Sequence, residues 1–125
     1  METKRKKKIL IVEDELVIAN DIRGFLSDEN YEIISIVLTG EDAINLARQN
    51  KPDLIIMDIL LHGDMNGIEA AEEISKTRKI PIIFVSAYSH EEIVKQILSD
   101  INYKYILKPF QAFELIDKVN LLLER

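Results

Sequence analysis

The chain has 125 residues, of which 47% are hydrophobic and 30% are charged, and its formal net charge is −6. These values are typical of one small globular domain, and no apolar stretch approaches the roughly 20 residues that a membrane-spanning helix needs. Cysteine is absent, which excludes disulfides and thiol chemistry and is compatible with a cytoplasmic location.

Basic residues are concentrated at the amino terminus. Residues 1–8 contain five basic side chains and one acidic side chain, so the rest of the chain is more acidic than its overall net charge suggests. We expect residues 1–7 to be a frayed basic terminus, although such a segment could also touch a polyanion. The acidic body argues against direct nucleic-acid binding. No signal-peptide pattern precedes the first strand, so we expect a cytoplasmic protein.

Strand and helix patterns alternate along the whole chain. Short apolar runs rich in β-branched residues predict five strands: residues 9–12, 33–38, 54–57, 82–85 and 103–107. After each strand, apolar residues with helical spacing predict a helix, and these residues lie within 16–26, 43–47, 66–74, 93–98 and 113–123. No linker rich in Pro, Gly or Ser divides the series. We therefore expect residues 1–125 to form a single domain, which could be free-standing or part of a larger protein.

Polar residues at three helix starts predict how those helices begin. Thr39 can cap the second helix. Asn66 with Glu69, and Ser89 with Glu92, have the spacing of a capping box at the third and fourth helices.

Five βα units in succession predict an α/β fold with a doubly wound parallel sheet and helices on both faces. Helical crossovers return the chain to the same end of the sheet, and they do so with a right-handed turn. A five-stranded sheet of this kind usually has the flavodoxin-like order 2-1-3-4-5, with ligands at the carboxyl ends of the strands.

Charged and polar residues stand where four of these strands end. The first strand is followed by Glu13 and Asp14, and the third is followed by Asp58. Ser86 and Lys108 follow the fourth and fifth strands. In the expected strand order all five residues meet in one crevice, and such a gathering of carboxylates calls for a compensating cation or proton.

These residues resemble the motifs of response-regulator receiver domains of two-component signalling. The resemblance covers essentially the whole chain. It rests on an acidic pair, an aspartate after strand three, a hydroxyl residue followed by a small one, and Lys-Pro after strand five: Glu13-Asp14, Asp58, Ser86-Ala87 and Lys108-Pro109. The resemblance also implies that the Lys108–Pro109 bond is cis, which the energetics of X-Pro bonds permit.

The resemblance implies a Mg²⁺ site. Asp14 and Asp58 would be direct ligands, Glu13 would act through a water molecule, and the backbone carbonyl of Leu60 would complete the protein ligands. A small, hard dication takes oxygen ligands and keeps several waters, so few carboxylates suffice.

The resemblance further implies a phosphoacceptor regulator rather than an enzyme with an external substrate. Asp58 would take a phosphoryl group from the phosphohistidine of a histidine kinase or phosphotransfer protein, and Lys108 and Ser86 would stabilise the transferred group. Ser86 and Tyr105 would then change the face formed by helix four, strand five and helix five, which a downstream protein would bind.

Two local features are expected to affect this function or its geometry. Leu60 and Tyr88 lie two residues beyond Asp58 and Ser86, and neither can orient a hydrolytic water well, so we expect slow self-dephosphorylation that Tyr88→Glu accelerates. Asp100 stands where many relatives have Gly, and Asn102 is expected to supply a left-handed turn.

The same residues permit several alternatives. Asp14 alone could be a helix cap, and Tyr105 could be a half-buried residue with a wet hydroxyl. A flavodoxin-like phosphate-binding module would be opposed by the acidic segment 13–15. A phosphatase of the haloacid dehalogenase kind would need a second Asp at position 60, where Leu60 stands. An adaptor that no longer accepts phosphate is the third alternative.

Overall fold

Five parallel strands form the central sheet of the computed structural model, which describes residues 5–87 and 89–123. The strands are β1 (Lys8–Val12), β2 (Glu32–Val37), β3 (Leu54–Met57), β4 (Ile82–Ser86) and β5 (Tyr103–Leu107). Their order is β2-β1-β3-β4-β5 and every neighbouring pair is parallel. The predicted fold and strand order are confirmed.

A helix follows each strand: α1 (Leu16–Asp28), α2 (Gly40–Asn50), α3 (Gly67–Ser75), α4 (Glu91–Leu98) and α5 (Ala112–Leu122). Two of the predicted starts are confirmed. The Thr39 hydroxyl accepts a hydrogen bond from the Asp42 N–H at 3.1 Å. Asn66 and Glu69 form a reciprocal capping box with two bonds of 2.9 Å. These caps satisfy N–H groups that the first turn of a helix leaves without partners.

Two local predictions were wrong. The N-cap of α4 is His90, not Ser89, and its side chain makes no capping hydrogen bond. Asn102 is not left-handed, since the positive-φ residues of the described chain other than glycine are Asn30 and Lys51. Instead, the Asn102 N–H donates to the Asp100 carboxylate at 2.8 Å. That side-chain turn reverses the chain without a positive φ.

Buried side chains form one apolar layer on each face of the sheet. Alternate strand residues such as Leu10, Ile55 and Phe84 pack with α2, α3 and α4 on one face. Their neighbours, such as Ile11 and Ile56, pack with α1 and α5 on the other face. Because successive strand residues point to opposite faces, both layers are continuous. The carboxyl ends of the strands are thereby held at one edge of the sheet.

None of the helices in residues 5–87 and 89–123 is long and apolar enough to cross a lipid bilayer.

Candidate functional site

The ends of β1 and β3 bring three carboxylates together. The Asp58 N–H donates to the Val12 carbonyl at 2.9 Å, which places Asp58 beside the Glu13–Asp14 pair. One carboxylate oxygen from each of Glu13, Asp14 and Asp58 lies within 4.8 Å of the others. Glu13 and Asp58 are only 2% and 4% exposed. The structure therefore gathers the three acidic residues that the sequence places at strand ends.

Lys108 enters the same cluster from the end of β5. Its Nζ atom lies 2.8 Å from Glu13 Oε1 and 3.1 Å from Asp58 Oδ2. A third contact of 3.2 Å reaches Glu15 Oε1, on a largely exposed side chain. The Lys108 N–H donates to the Ser86 carbonyl at 2.9 Å, which fixes the lysine against the end of β4. The predicted cis bond between Lys108 and Pro109 is confirmed.

Burial makes this cluster electrostatically unusual. Burial raises the pKa of Glu13 from 4.5 to about 7, although its hydrogen bond to Lys108 opposes the rise and the charge of Asp58 adds to it. Burial alone would lower the pKa of Lys108, but the hydrogen bond to Glu13 and the negative charges of Asp58 and Glu13 raise it overall. One ammonium group therefore faces several carboxylates, and the pocket favours additional positive charge.

The carboxylate of Asp58 is also held by the loop that follows it. Its Oδ1 atom accepts a hydrogen bond from the Leu60 N–H at 3.1 Å. The Gly67 N–H, at the start of α3, donates to the Ile59 carbonyl at 2.8 Å. Both contacts restrain the backbone around Asp58, because each connects it to the loop between β3 and α3.

Ser86 and Tyr105 lie on the two strands next to this cluster. Ser86 is the last residue of β4 and is fully buried. Tyr105 is half-buried on β5 and lies opposite Phe84 in the parallel register. Burial raises the pKa of Tyr105, and the negative charge of Asp58 raises it further.

Two residues that were not predicted as site residues from the sequence make contacts within the site. The His62 imidazole Nδ1 contacts Asp14 Oδ2, and the same oxygen accepts the His62 backbone N–H at 3.2 Å. Glu15 pairs with Lys108. The N-cap position of α1 is occupied by Glu15, so Asp14 does not cap that helix.

No local pattern marks His62, because its loop has neither helical nor strand periodicity. Tyr88 lies outside the described residues.

The donor set fits a hard dication. Three clustered carboxylates supply oxygen ligands, and the single lysine does not neutralise them. Oxygen donors of this kind suit Mg²⁺ or Ca²⁺ rather than a metal that prefers sulfur or nitrogen.

Comparison with protein families gives a single assignment across most of the chain. Residues 9–120 match the model of the response regulator receiver domain. The transcriptional regulatory protein PdtaR of Mycobacterium tuberculosis is 36% identical over 119 residues, which cover 95% of this chain and 58% of that protein. The response regulator protein VraR of Staphylococcus epidermidis is 35% identical over 114 residues, which cover 90% of this chain and 54% of that protein. The chain therefore spans somewhat more than half the length of these relatives.

Solved structures agree with this assignment. A CheY-like response regulator receiver domain protein from Methanospirillum hungatei superimposes with a TM-score of 0.86 at 30% identity, covering 96% of this chain and 95% of that one. A two-component response regulator from Clostridium difficile gives a TM-score of 0.87 at 27% identity, with coverages of 96% and 98%.

The five-stranded order and the acidic edge define a doubly wound α/β domain of the CheY-like class. The chain belongs to the response regulator receiver domain family of two-component signalling. The members of this family are regulators and not conventional enzymes.

Proposed function

We propose that Asp58 accepts a phosphoryl group from the phosphohistidine of a histidine kinase or of a phosphotransfer protein. The observation that carries this proposal is the buried Asp58 carboxylate, which lies 3.1 Å from the Lys108 ammonium and within the cluster of Glu13 and Asp14. A carboxylate in this setting is a nucleophile with positive charge beside the atoms it attacks.

Transfer exchanges one bond to phosphorus for another. A carboxylate oxygen of Asp58 attacks the phosphorus, and the new P–O bond forms an acyl phosphate. The P–N bond to the donor imidazole breaks, and its electron pair stays on the ring nitrogen. Negative charge spreads over the three equatorial oxygens during the transfer.

Lys108 and Ser86 would stabilise that charge. The ammonium of Lys108 is buried between Glu13 and Asp58, so it needs little reorganisation to contact a phosphoryl oxygen bound to Asp58. Ser86 stands at the end of the adjacent strand, and its carbonyl holds the Lys108 N–H. Its hydroxyl would donate a hydrogen bond to a second phosphoryl oxygen.

The residues that would hold Mg²⁺ are Asp14 and Asp58 through carboxylate oxygens, Leu60 through its carbonyl, and Glu13 through a water molecule. When bound, the dication supplies positive charge that offsets charge on the transferred phosphoryl group. Glu13 and Asp58 are already close to Lys108, so the cation and the lysine would share the neutralisation of the pocket.

Tyr105 and Ser86 would transmit the modification to the face formed by α4, β5 and α5. Tyr105 lies on β5 opposite Phe84 of β4, the strand that ends at Ser86. Large apolar side chains are exposed on these three elements, including Leu98, Leu107 and Phe113. Such side chains suit a protein partner. The output is thus a shift between two packings of this face, which a downstream protein reads.

The extent of the domain, its location and its partners are proposed on the basis of this role. Residues 1–125 form one receiver unit, which acts in the cytoplasm, binds proteins and does not bind nucleic acid directly. The domain catalyses only its own phosphorylation and a slow loss of the phosphoryl group.

Intact-mass spectrometry tests the proposal. The protein is incubated with Mg²⁺ and a small phosphodonor such as acetyl phosphate. We expect one added phosphoryl group, sensitive to hydroxylamine as acyl phosphates are. Asp58→Asn should abolish it, whereas Asp117→Asn, which changes an exposed aspartate on α5, should not. Failure of the wild type to gain the group would refute the proposal, and so would modification of the Asp58→Asn variant. Sustained phosphate release without accumulation would instead indicate a phosphatase.

A further inference from the structure

His62 connects the loop between β3 and α3 to the end of β1. Its imidazole Nδ1 contacts Asp14 Oδ2, and its backbone N–H donates to the same oxygen at 3.2 Å. The His62 side chain is 91% exposed, while the Asp14 side chain is only 9% exposed. A largely exposed ring therefore makes its contact with a carboxylate that is itself nearly buried.

The three carboxylates of the pocket differ in how their oxygens are held. Both oxygens of Glu13 and both of Asp58 have partners, which are Lys108 or backbone N–H groups. Asp14 differs because both of its contacts fall on Oδ2 and both come from His62. Within residues 5–87 and 89–123, no hydrogen bond is made to its Oδ1 atom. Asp14 thus keeps one oxygen open, and His62 alone restrains the other.

We propose that His62 is a positioning residue for the cation, which holds Oδ2 of Asp14 so that Oδ1 is available as a ligand. This inference rests on the metal site proposed above. A carboxylate fixed by an outer partner loses less rotational freedom when it binds a metal, and such partners affect metal affinity. The contact also ties the loop that carries Leu60, two residues earlier, to the end of β1. The segments that carry Asp14 and Leu60, which would supply ligands, are thereby held close together before the cation binds.

Two other roles for His62 make different predictions. If the ring nitrogen were itself a ligand, its loss would weaken Co²⁺ binding more than Mg²⁺ binding, since imidazole suits the transition metal. If His62 competed with the cation for Asp14, its loss would strengthen binding of both metals. The positioning role predicts a similar weakening for both, because the Asp14 oxygen is then the ligand affected.

Isothermal titration calorimetry distinguishes these roles. Mg²⁺ and Co²⁺ are titrated separately into unphosphorylated protein. We expect His62→Ala to weaken both metals roughly fivefold, a modest effect because the ring is exposed. His62→Gln retains N–H donors and should recover part of the loss. His90→Ala removes the chain's other histidine and should leave both affinities unchanged.

Asp14→Asn separates failure of this inference from failure of the metal site. If the wild type binds Mg²⁺, Asp14→Asn does not, and His62→Ala binds as the wild type does, only the positioning role is refuted. Tighter binding by His62→Ala, or a loss confined to Co²⁺, also refutes it. If the wild type does not bind Mg²⁺, or if Asp14→Asn binds as well as the wild type, both proposals are refuted. Melting curves of each variant confirm that the titrated protein is folded.

Discussion

The first turn of α3 lies against the backbone of Asp58 at Gly67, and we expect Gly67→Ala to destabilise the fold. A Cβ atom built on Gly67 would lie 2.1 Å from the Asp58 carbonyl oxygen and 3.0 Å from the Asp58 carbonyl carbon. The Met57 side chain also lies 3.0 Å away, but the nearest obstacle is the Asp58 backbone, which cannot move aside as a flexible side chain can. The φ angle of Gly67 is not positive, so the effect arises from crowding and not from backbone strain.

The size of the effect follows from this overlap. Non-bonded carbon and oxygen atoms rarely approach within about 3 Å, so α3 and the Asp58 peptide must separate by roughly 1 Å. Forcing extra atoms into a packed site typically costs about 1–3 kcal/mol. We expect the upper end of that range because the main chain must shift on both sides. For a domain of this size, a loss of about 3 kcal/mol lowers the melting temperature by roughly 10 °C.

Urea unfolding followed by circular dichroism measures this loss, and Gly24→Ala is the matched control. Gly24 is exposed within α1, and a Cβ atom there would meet nothing within 4 Å. A helix interior is more stable with alanine than with glycine, so Gly24→Ala should be more stable than the wild type by about 0.5–1 kcal/mol. The same substitution should thus have opposite signs at the two positions.

Phosphorylation by a small donor gives a second readout of the displacement. Moving the Asp58 peptide moves its carboxylate relative to Lys108, so the folded Gly67→Ala protein should be phosphorylated more slowly than Gly24→Ala. The reasoning would be refuted by a Gly67→Ala protein that is as stable as the wild type. Loss of stability in both variants would show that helix effects, and not the contact with Asp58, are responsible.

Three further predictions concern the charges and a cap. In metal-free protein, Glu13 should reduce stability as the pH rises from 4.5 to about 7, because the folded state holds its proton more tightly than the unfolded chain does. In urea unfolding, the free energy of unfolding of Glu13→Gln should exceed that of the wild type by a difference that grows with pH to at most about 3 kcal/mol. A difference that does not change with pH would contradict this. Lys108→Met should slow phosphorylation roughly a hundredfold, as the loss of other charge-stabilising groups does. The same variant should bind Mg²⁺ more tightly in calorimetry because a nearby positive charge is gone, and weaker Mg²⁺ binding would contradict this. Asn66→Ala removes the capping box with Glu69 and should cost about 1 kcal/mol in thermal unfolding, so an unchanged melting temperature would show that the cap contributes nothing.

The strands were predictable because their apolar runs are a strong local signal, and their order followed from the usual arrangement of five βα units. The bounds of β3 and β5 agree with the apolar runs 54–57 and 103–107. The predicted runs for β1 and β4 were one residue short, since Lys8 and Ser86 extend the pairing although neither is apolar. Apolar content marks the buried middle of a strand, whereas pairing continues for as long as backbone groups find partners.

Local polar chemistry was less predictable. Ser89 with Glu92 has the same spacing as Asn66 with Glu69, but only the second pair forms a capping box. A cap works only when its residue is extended and directly precedes the first helical residue, and α4 begins one residue too late for Ser89. Asn102 shows the same limitation, because the neighbouring Asp100 carboxylate provides the turn. Several side chains can satisfy one segment, and their spacing does not decide between them.

By itself the sequence determined the strand–helix alternation, the family and the residues that follow each strand, because periodicity and strand ends are local properties. The gathering of Glu13, Asp14 and Asp58 follows from these properties once the strand order is known. Only the tertiary structure decided that His62 contacts Asp14 and that Gly67 lies close to the Asp58 carbonyl. Those contacts depend on the path of an irregular loop through space, which packing against the finished sheet sets and no repeating pattern records.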